Sequence, residues 1–490
     1  MKKLIDLIHT PGIENWTERC KNAFEELFGA GGGRYPDKAK KAVTLRAPVF
    51  QEGKGVTFAS LIHPANPDSG AYGGMSFVLF PAQNAPCLLS MVVGTQGLSP
   101  DEEILARPGH GRKVSAICNW LNKKHGRGKL VAWAKQDPVR TDIDLPGNIK
   151  RLFPDYDAVF ERYGRVIYGF FQPVADKKAT EDALKAFLDL LFEERGIYPL
   201  KAAANETEQI RSEYFAHLMP DVTEEEVLEL LRERRFVVLQ GPPGTGKTRL
   251  ALRILQNAYR ANGFSIQFHP NTTYENFIGG LAPVLSGDAL GFRFAPQPGF
   301  LMKAAKEALK KPDQPFLLHI DEINRADLAK VLGEAIFLLE ANSAEQRKLD
   351  LPYDFKSPFG DKLWLPPNLH ILGTMNSADR SIAIVDVAVR RRFAYLKLWP
   401  QLQVVQEHAC ELMKKAFMEL VSVFVEYAGE DALDLVPGHS YFLEKDEKRA
   451  PKFLKTNLAP LLEEYLAQGY VAGFSEPVRA YLQWIESLQG

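Results

Sequence analysis

The run Gly241-Pro242-Pro243-Gly244-Thr245-Gly246-Lys247-Thr248 constrains this chain more than any other stretch. It has the eight-residue spacing G-x-x-x-x-G-K-T. Phe236-Val237-Val238-Leu239-Gln240 leads into it, an apolar run of the kind that forms a strand buried on both faces. Residues 249–261 follow with helical spacing. A strand that ends in a glycine-rich turn and feeds a helix aims successive backbone N–H groups, and the helix's partial positive charge, at one point in space. That arrangement cradles phosphate. Gly241, Pro242, Pro243, Gly244, Thr245 and Gly246 are expected to wrap a nucleotide's phosphates. Lys247 is placed to reach the β- and γ-phosphates, and the Thr248 hydroxyl to bind Mg²⁺.

The strand–helix alternation continues. Pro315-Phe316-Leu317-Leu318-His319-Ile320 reads as a second buried strand with a helix after it through residue 340. His370-Ile371-Leu372-Gly373-Thr374 reads as a third. Apolar strands between helices predict an α/β fold, with a parallel sheet covered on both faces. This domain is expected over 223–399. It opens with a capping box at Thr223-Glu224-Glu225-Glu226, flanked by Val222 and Val227 as a hydrophobic staple. Residues 400–490 read as a helical lid. Residues 201–222 read as a linker, polar and small over 201–208. Residues 1–200 read as a separate mixed α+β domain, with strands at 75–80 and 88–93 and a helix over 180–194.

Further candidate residues cluster around the phosphate loop. Asp321-Glu322 directly follows the second strand, where metal and phosphate sit at the edge of such sheets. Asp321 is the expected Mg²⁺ partner, and Glu322 is placed to polarise an attacking water. After the third strand come Met375-Asn376-Ser377-Ala378-Asp379-Arg380-Ser381, where Asn376 can reach between γ-phosphate and water. Then comes Arg390-Arg391-Arg392-Phe393, from which Arg391 or Arg392 can reach a neighbouring subunit's γ-phosphate as an arginine finger.

This set resembles the McrB branch of AAA+ proteins. It comprises the phosphate loop, Asp321-Glu322-Ile323-Asn324-Arg325-Ala326, Met375-Asn376-x-x-Asp379-Arg380-Ser381 and Val389-Arg390-Arg391-Arg392-Phe393. The Met-Asn-x-x-Asp-Arg-Ser loop is its most specific item. Gly438-His439-Ser440-Tyr441-Phe442 supports it from the lid. The resemblance covers roughly residues 225–470. It implies a hexameric ring that hydrolyses GTP rather than ATP with Mg²⁺, and a McrC-like partner that stimulates hydrolysis and carries a nuclease. It also implies DNA bearing modified cytosine as the target. By resemblance Asn376 takes a sensor position, and Asp379 and Arg380 complete the signature loop. The Asn-Lys-x-Asp motif by which other GTPases read guanine is missing, so GTP over ATP rests on the resemblance. Many AAA+ lids place an arginine where this chain has Gly438-His439-Ser440. His439 has two readings, a nucleotide contact or a hydrogen-bonded lid residue.

The N-terminal part carries a basic stretch. Arg112, Lys113, Lys123, Lys124, Arg127 and Lys129 lie in 111–130, where no acid occurs, with Trp120 and His125 among them. Such a run can neutralise phosphates and stack on exposed bases. A reader of a modified base needs an aromatic-lined pocket, and Tyr72, Trp120, Trp133 and Tyr168 are candidates. The other reading is a solvated face over core tryptophans. Overall charge is near neutral at −1, so nothing global advertises nucleic acid or a membrane. Four cysteines without paired spacing point to reduced thiols in a cytosolic protein. No secretory leader is evident, and no stretch reaches the ~18 apolar residues that span a bilayer. No nuclease motif is evident either. The alternative function is an AAA+ ATPase of a remodelling or defence class whose N-terminal domain binds a protein.

Overall fold

The computed structural model describes residues 1–489 apart from Ala30, Glu52, 286–290, 341–346 and 379–385. The chain forms two compact units, Met1–Met219 with Ser422–Gly429, and Pro220–Val421 with Glu430–Gly490.

The first unit is built on β1 (Thr44–Arg46), β2 (Ala59–Ile62), β3 (Met75–Phe80), β4 (Leu88–Val93), β5 (Ala132–Ala134) and β6 (Ile167–Phe171). They make one antiparallel sheet in the order β1-β2-β3-β4-β6-β5. Every residue of β3 and β4 is buried, so these strands carry apolar runs rather than alternation. Both sheet faces are covered. One packs Phe77, Leu79 and Met91 against Ile117, Leu184 and Phe187 of the helices Pro108–His125 and Lys177–Glu194. The other packs Val78, Leu88 and Phe170 against Phe153 and Phe160. The 201–222 stretch carries the helix Ala204–Phe215. Its Thr207 joins a buried charge cluster in which Arg34 forks onto Asp189, with N–O distances of 2.7 and 2.5 Å, and Tyr35 donates to the same carboxylate at 2.6 Å.

The second unit opens with the helix Glu224–Arg234, whose capping box pairs Thr223 and Glu226 reciprocally. Its main sheet contains β7 (Phe236–Gly241), β8 (Gly263–Gln267), β11 (Phe316–Asp321), β14 (Leu369–Asn376) and β15 (Ala394–Lys397), all parallel, in the order β15-β7-β14-β11-β8. The expected α/β class with a parallel sheet holds. Helices cover both faces. Leu250, Ala251 and Ile254 pack with Val237 and Leu239 on one side, and Leu301, Ala304 and Val331 with Val238 and Leu318 on the other. Two short antiparallel pairs lie outside this sheet: β9 (Gly279–Leu285) with β10 (Phe292–Pro298), and β12 (Leu349–Asp350) with β13 (Lys362–Leu363). The lid helices include Leu402–His408, Ala459–Ala467 and Ser475–Ser487.

One expectation fails here. The chain after β11 is not a single helix to residue 340. It runs through the short turns and helices Ile323–Arg325, Leu328–Leu332 and Gly333–Leu338. Asp327 starts the second by accepting from the Lys330 N–H, and Gly333 at φ +48° ends it.

Candidate nucleotide site

The phosphate loop leaves the carboxyl end of β7 between two neighbours. β14 lies directly alongside, with Asn376 opposite Gly241, and the Ser377 N–H donates to the Gly241 carbonyl at 2.9 Å. β11 lies one strand further out. The loop, the carboxylate-bearing end of β11 and the amide-bearing end of β14 therefore meet at one edge, as the strand order dictates. Gly244 and Gly246 turn the loop at φ +81° and +79°, values that glycine adopts without a Cβ clash.

Asp321 is held by two hydroxyls. Thr248 Oγ1 donates to its Oδ1 at 2.8 Å and Thr374 Oγ1 to the same oxygen at 2.5 Å. Among the described residues no three carboxylate, thiol or imidazole groups cluster as a cage for a metal. A hydroxyl and one carboxylate suit Mg²⁺, which keeps waters and phosphate oxygens as its remaining ligands. Glu322 takes a different direction from its neighbour. Its backbone sits at φ +52°, a left-handed conformation that is uphill for a side chain with a Cβ. Its N–H donates to Thr374 Oγ1 at 3.3 Å, and Asn376 Nδ2 donates to Glu322 Oε1 at 2.8 Å. Arg325 Nε lies 3.5 Å from the other carboxylate oxygen. Lys247 is buried, with Nζ donating to the carbonyls of Gly241 at 3.0 Å and Pro242 at 2.8 Å.

The lid touches the loop through backbone. The Gly438 N–H donates to the Pro243 carbonyl at 2.9 Å, and the Ser440 N–H to the Gly244 carbonyl at 3.0 Å. Gly438 has no room for a side chain, since a Cβ there would lie 2.0 Å from the Gly244 carbonyl carbon. His439, between them, is buried, and its Nδ1 accepts from the Gln401 N–H at 3.2 Å. Burial, then the Arg249 charge, pushes its pKa down to about 4, so the ring is neutral. Ser377 Oγ donates to the Asp434 carbonyl at 2.8 Å, a second link from the lid, here to the end of β14.

The three arginines separate. Arg390 lies over the Tyr395 ring at 5.3 Å. Arg392 is ion-paired to Glu340 within the chain. Arg391 is exposed at the end of the helix Val387–Arg390. Asp379 and Arg380 lie outside the described residues. Thr374, Ser377 and the lid backbone were not singled out from sequence. The hydroxyl at the end of an otherwise apolar strand was the available signal for Thr374.

The fold and site define an AAA domain. Residues 236–393 match the model of the AAA domain, dynein-related subfamily. The chain is 32% identical to the type IV methyl-directed restriction enzyme EcoKMcrB subunit of Escherichia coli K12, over 56% of this chain and 61% of that protein. It is likewise 32% identical to the type II restriction enzyme BsuMI component YdiS of Bacillus subtilis 168, over 33% of this chain and 57% of that one. The match thus spans about three fifths of each relative's length. Residues 236–393 thus form an AAA domain, and the chain is similar to AAA+ proteins of the McrB type.

In the first unit half of the basic stretch is engaged, and Arg112 donates to the Val425 carbonyl at 3.1 Å. It lies on and just after the helix Pro108–His125. Lys113 is buried against Glu194 at 2.6 Å. Lys124 pairs with Glu213 at 2.8 Å and Asp182 at 3.2 Å, and His125 with Asp182 at 3.1 Å. Lys123, Arg127 and Lys129 are exposed. The aromatic candidates do not line one pocket. Trp120 and Tyr168 are buried in the core on one sheet face, and Trp133 packs with Phe170 on the other. Tyr72 is half-buried, with Arg46 over its ring at 5.7 Å. No helix among the described residues is long and apolar enough to cross a membrane.

Proposed function

We propose that this chain is the GTP-hydrolysing motor subunit of a modification-dependent restriction system, working as a hexameric ring in the cytoplasm. In this reading the first unit recognises DNA with modified cytosine, and a McrC-like partner supplies the nuclease. The observation that carries the hydrolytic part is the pair Asn376–Glu322, 2.8 Å apart beside Thr248–Asp321, also 2.8 Å. The partner and target follow from the likeness to two restriction-system components.

The residues divide the work by their chemistry. Thr248 and Asp321 would hold Mg²⁺, which would supply neutralisation of phosphate charge. Lys247 exchanges its two loop carbonyls for phosphate oxygens, so its charge is already buried and aimed before substrate arrives. Glu322 orients and deprotonates the attacking water. Asn376 fixes that carboxylate on the γ-phosphate side, and the backbone strain at Glu322 keeps it pointed away from the metal pair. Asp379 and Arg380 complete the loop beyond Asn376. Arg391 is the finger that reaches the neighbouring subunit, because Arg392 is already committed to Glu340. DNA contact by the basic stretch narrows to Lys123, Arg127 and Lys129.

The engagement of Lys113, Lys124 and His125 favours a second reading, an ATP-driven remodelling or defence protein whose first unit binds a protein. Hydrolysis of GTP and ATP, measured with and without DNA carrying modified cytosine, separates the two. GTP preference with binding of modified DNA supports the restriction motor. ATP preference without DNA binding supports the second reading.

A further inference from the structure

We propose that the first unit holds a binding site for a small oxyanion, a carboxylate or a phosphate, gripped by Arg46 on the sheet face that carries Val78 and Phe170. Strand register fixes the place. Arg46 of β1 pairs with Ser60 of β2, Ser60 with Val78 of β3, Val78 with Ser90 of β4, and Ser90 with Phe170 of β6. Paired residues share a face, so these five form one row across the sheet. Around the row the face is largely apolar, with Phe80, Leu88 and Val92 packed with Phe153 and Phe160. A guanidinium and hydroxyls in such surroundings lose water, and each needs a partner in its place.

Arg46 lacks those partners. Its Nη1 donates to the Gly70 carbonyl at 2.8 Å, and its guanidinium lies over the Tyr72 ring. Its Nε and Nη2 are buried and make no hydrogen bond among the described residues. These two nitrogens form the edge of a guanidinium that grips two acceptor oxygens at once. Arg34 of the same unit shows what that edge takes, with Nε on one oxygen of Asp189 at 2.7 Å and Nη2 on the other at 2.5 Å. For Arg46 the carboxylate is missing. The hydroxyls nearby do not replace it. Tyr72 donates to Ser76 Oγ at 3.3 Å, and the Ser76 proton goes to the Val92 carbonyl at 3.0 Å. Ser60 stands opposite Arg46, and Ser90, further along the row, is wholly buried with its hydroxyl unpartnered. A neutral ligand would occupy the two N–H groups and leave the charge buried, whereas an oxyanion answers both. Arg46 and Tyr72 are half-buried while the serines are buried, and β1 is the edge strand, so the ligand enters from that edge.

Thermal melting of the full chain tests the site, with inorganic phosphate and, separately, acetate added at constant ionic strength in chloride. The parent is compared with Arg46→Met and Arg46→Lys. Stabilisation that arises at the phosphate loop, or from salt in general, is common to all three and cancels. The parent is expected to bind at least one probe with a Kd of about 1 mM, as two charge-assisted hydrogen bonds provide. At about a hundredfold excess over that constant, its melting temperature should rise roughly 5 °C more than that of Arg46→Met. Arg46→Lys keeps the charge but not the two-pronged edge, and is expected to bind about tenfold more weakly. A response to phosphate alone assigns a phosphate ligand, and a response to acetate assigns a carboxylate. Equal shifts in the parent and Arg46→Met with both probes overturn the site. Should Arg46→Met not fold, the lysine variant decides, and shifts equal to the parent's overturn the site in the same way.

Discussion

Glu322 and Asn376 show how much one contact decides. Two adjacent carboxylates at a strand end are chemically alike, yet Asp321 takes two hydroxyl donors while Glu322 turns through a left-handed backbone to meet an amide. The roles proposed for them therefore divide by direction. Glu322→Gln is expected to bind nucleotide with near-parent affinity and to hydrolyse it about 10²- to 10⁴-fold more slowly, the usual contribution of a general base. Single-turnover hydrolysis checks this, and parent-like turnover removes Glu322 from the role. Asn376→Ala leaves the base present but unheld, so kcat should drop more than affinity. The same experiment on Asn376→Asp replaces the donor by a second carboxylate and should be no better than alanine.

At the scale of elements, the nucleotide domain was legible where local pattern and topology coincide. The phosphate loop, the buried strands and the Thr223 capping box each announce themselves within a dozen residues. What escaped were features made by distant partners or by a single backbone angle. Gly333 at φ +48° breaks the helix after β11, yet nothing in its neighbourhood marks that glycine as more than a weak helix residue. The basic stretch 111–130 looked free because its acids, Asp182, Glu194 and Glu213, come from other helices dozens of residues later. Trp120 and Tyr168 read as pocket candidates by type, but the sheet sends them into the core. The buried Arg34–Asp189 pair in the first unit is of the same long-range kind. Asp189→Ala leaves that guanidinium without its main partner and should destabilise the unit by about 3 kcal/mol or more in denaturant unfolding.

His370 in β14 makes a pH prediction at this scale. It is buried, paired to the Tyr259 hydroxyl, and burial followed by the Arg235 and Arg232 charges pushes its pKa down to about 4. An unfolded histidine titrates near 6.5. Above that value neither state is charged, and the group adds no pH dependence. Below it the unfolded chain takes up a proton that the folded chain refuses. Stability is therefore lost between about pH 6.5 and 4, at up to roughly 1.4 kcal/mol per pH unit from this group. His370→Gln should show a shallower fall of melting temperature over that window. An unchanged slope contradicts the assignment.

For the whole molecule, the proposed ring would complete the site across two chains. One chain has a cradle, a metal pair and a held base, but Arg391 is exposed at a helix end rather than engaged at the loop. In the proposed ring it serves the next subunit. Arg391→Ala is expected to cut hydrolysis by about 10³-fold, as for loss of an arginine finger. Arg392→Ala should instead loosen the Glu340 contact and affect turnover less. Mixing Arg391→Ala with Glu322→Gln subunits should restore part of the activity, because some interfaces then join an intact base to an intact finger. No rescue places the arginine's action within one chain.

The most direct test is the rate of triphosphate hydrolysis per subunit, followed across a dilution series while the assembly state is read by sedimentation. The proposed account predicts a steep fall in specific activity as rings dissociate, to nearly nothing in the monomer. A monomer that turns over nucleotide at the full rate would contradict it.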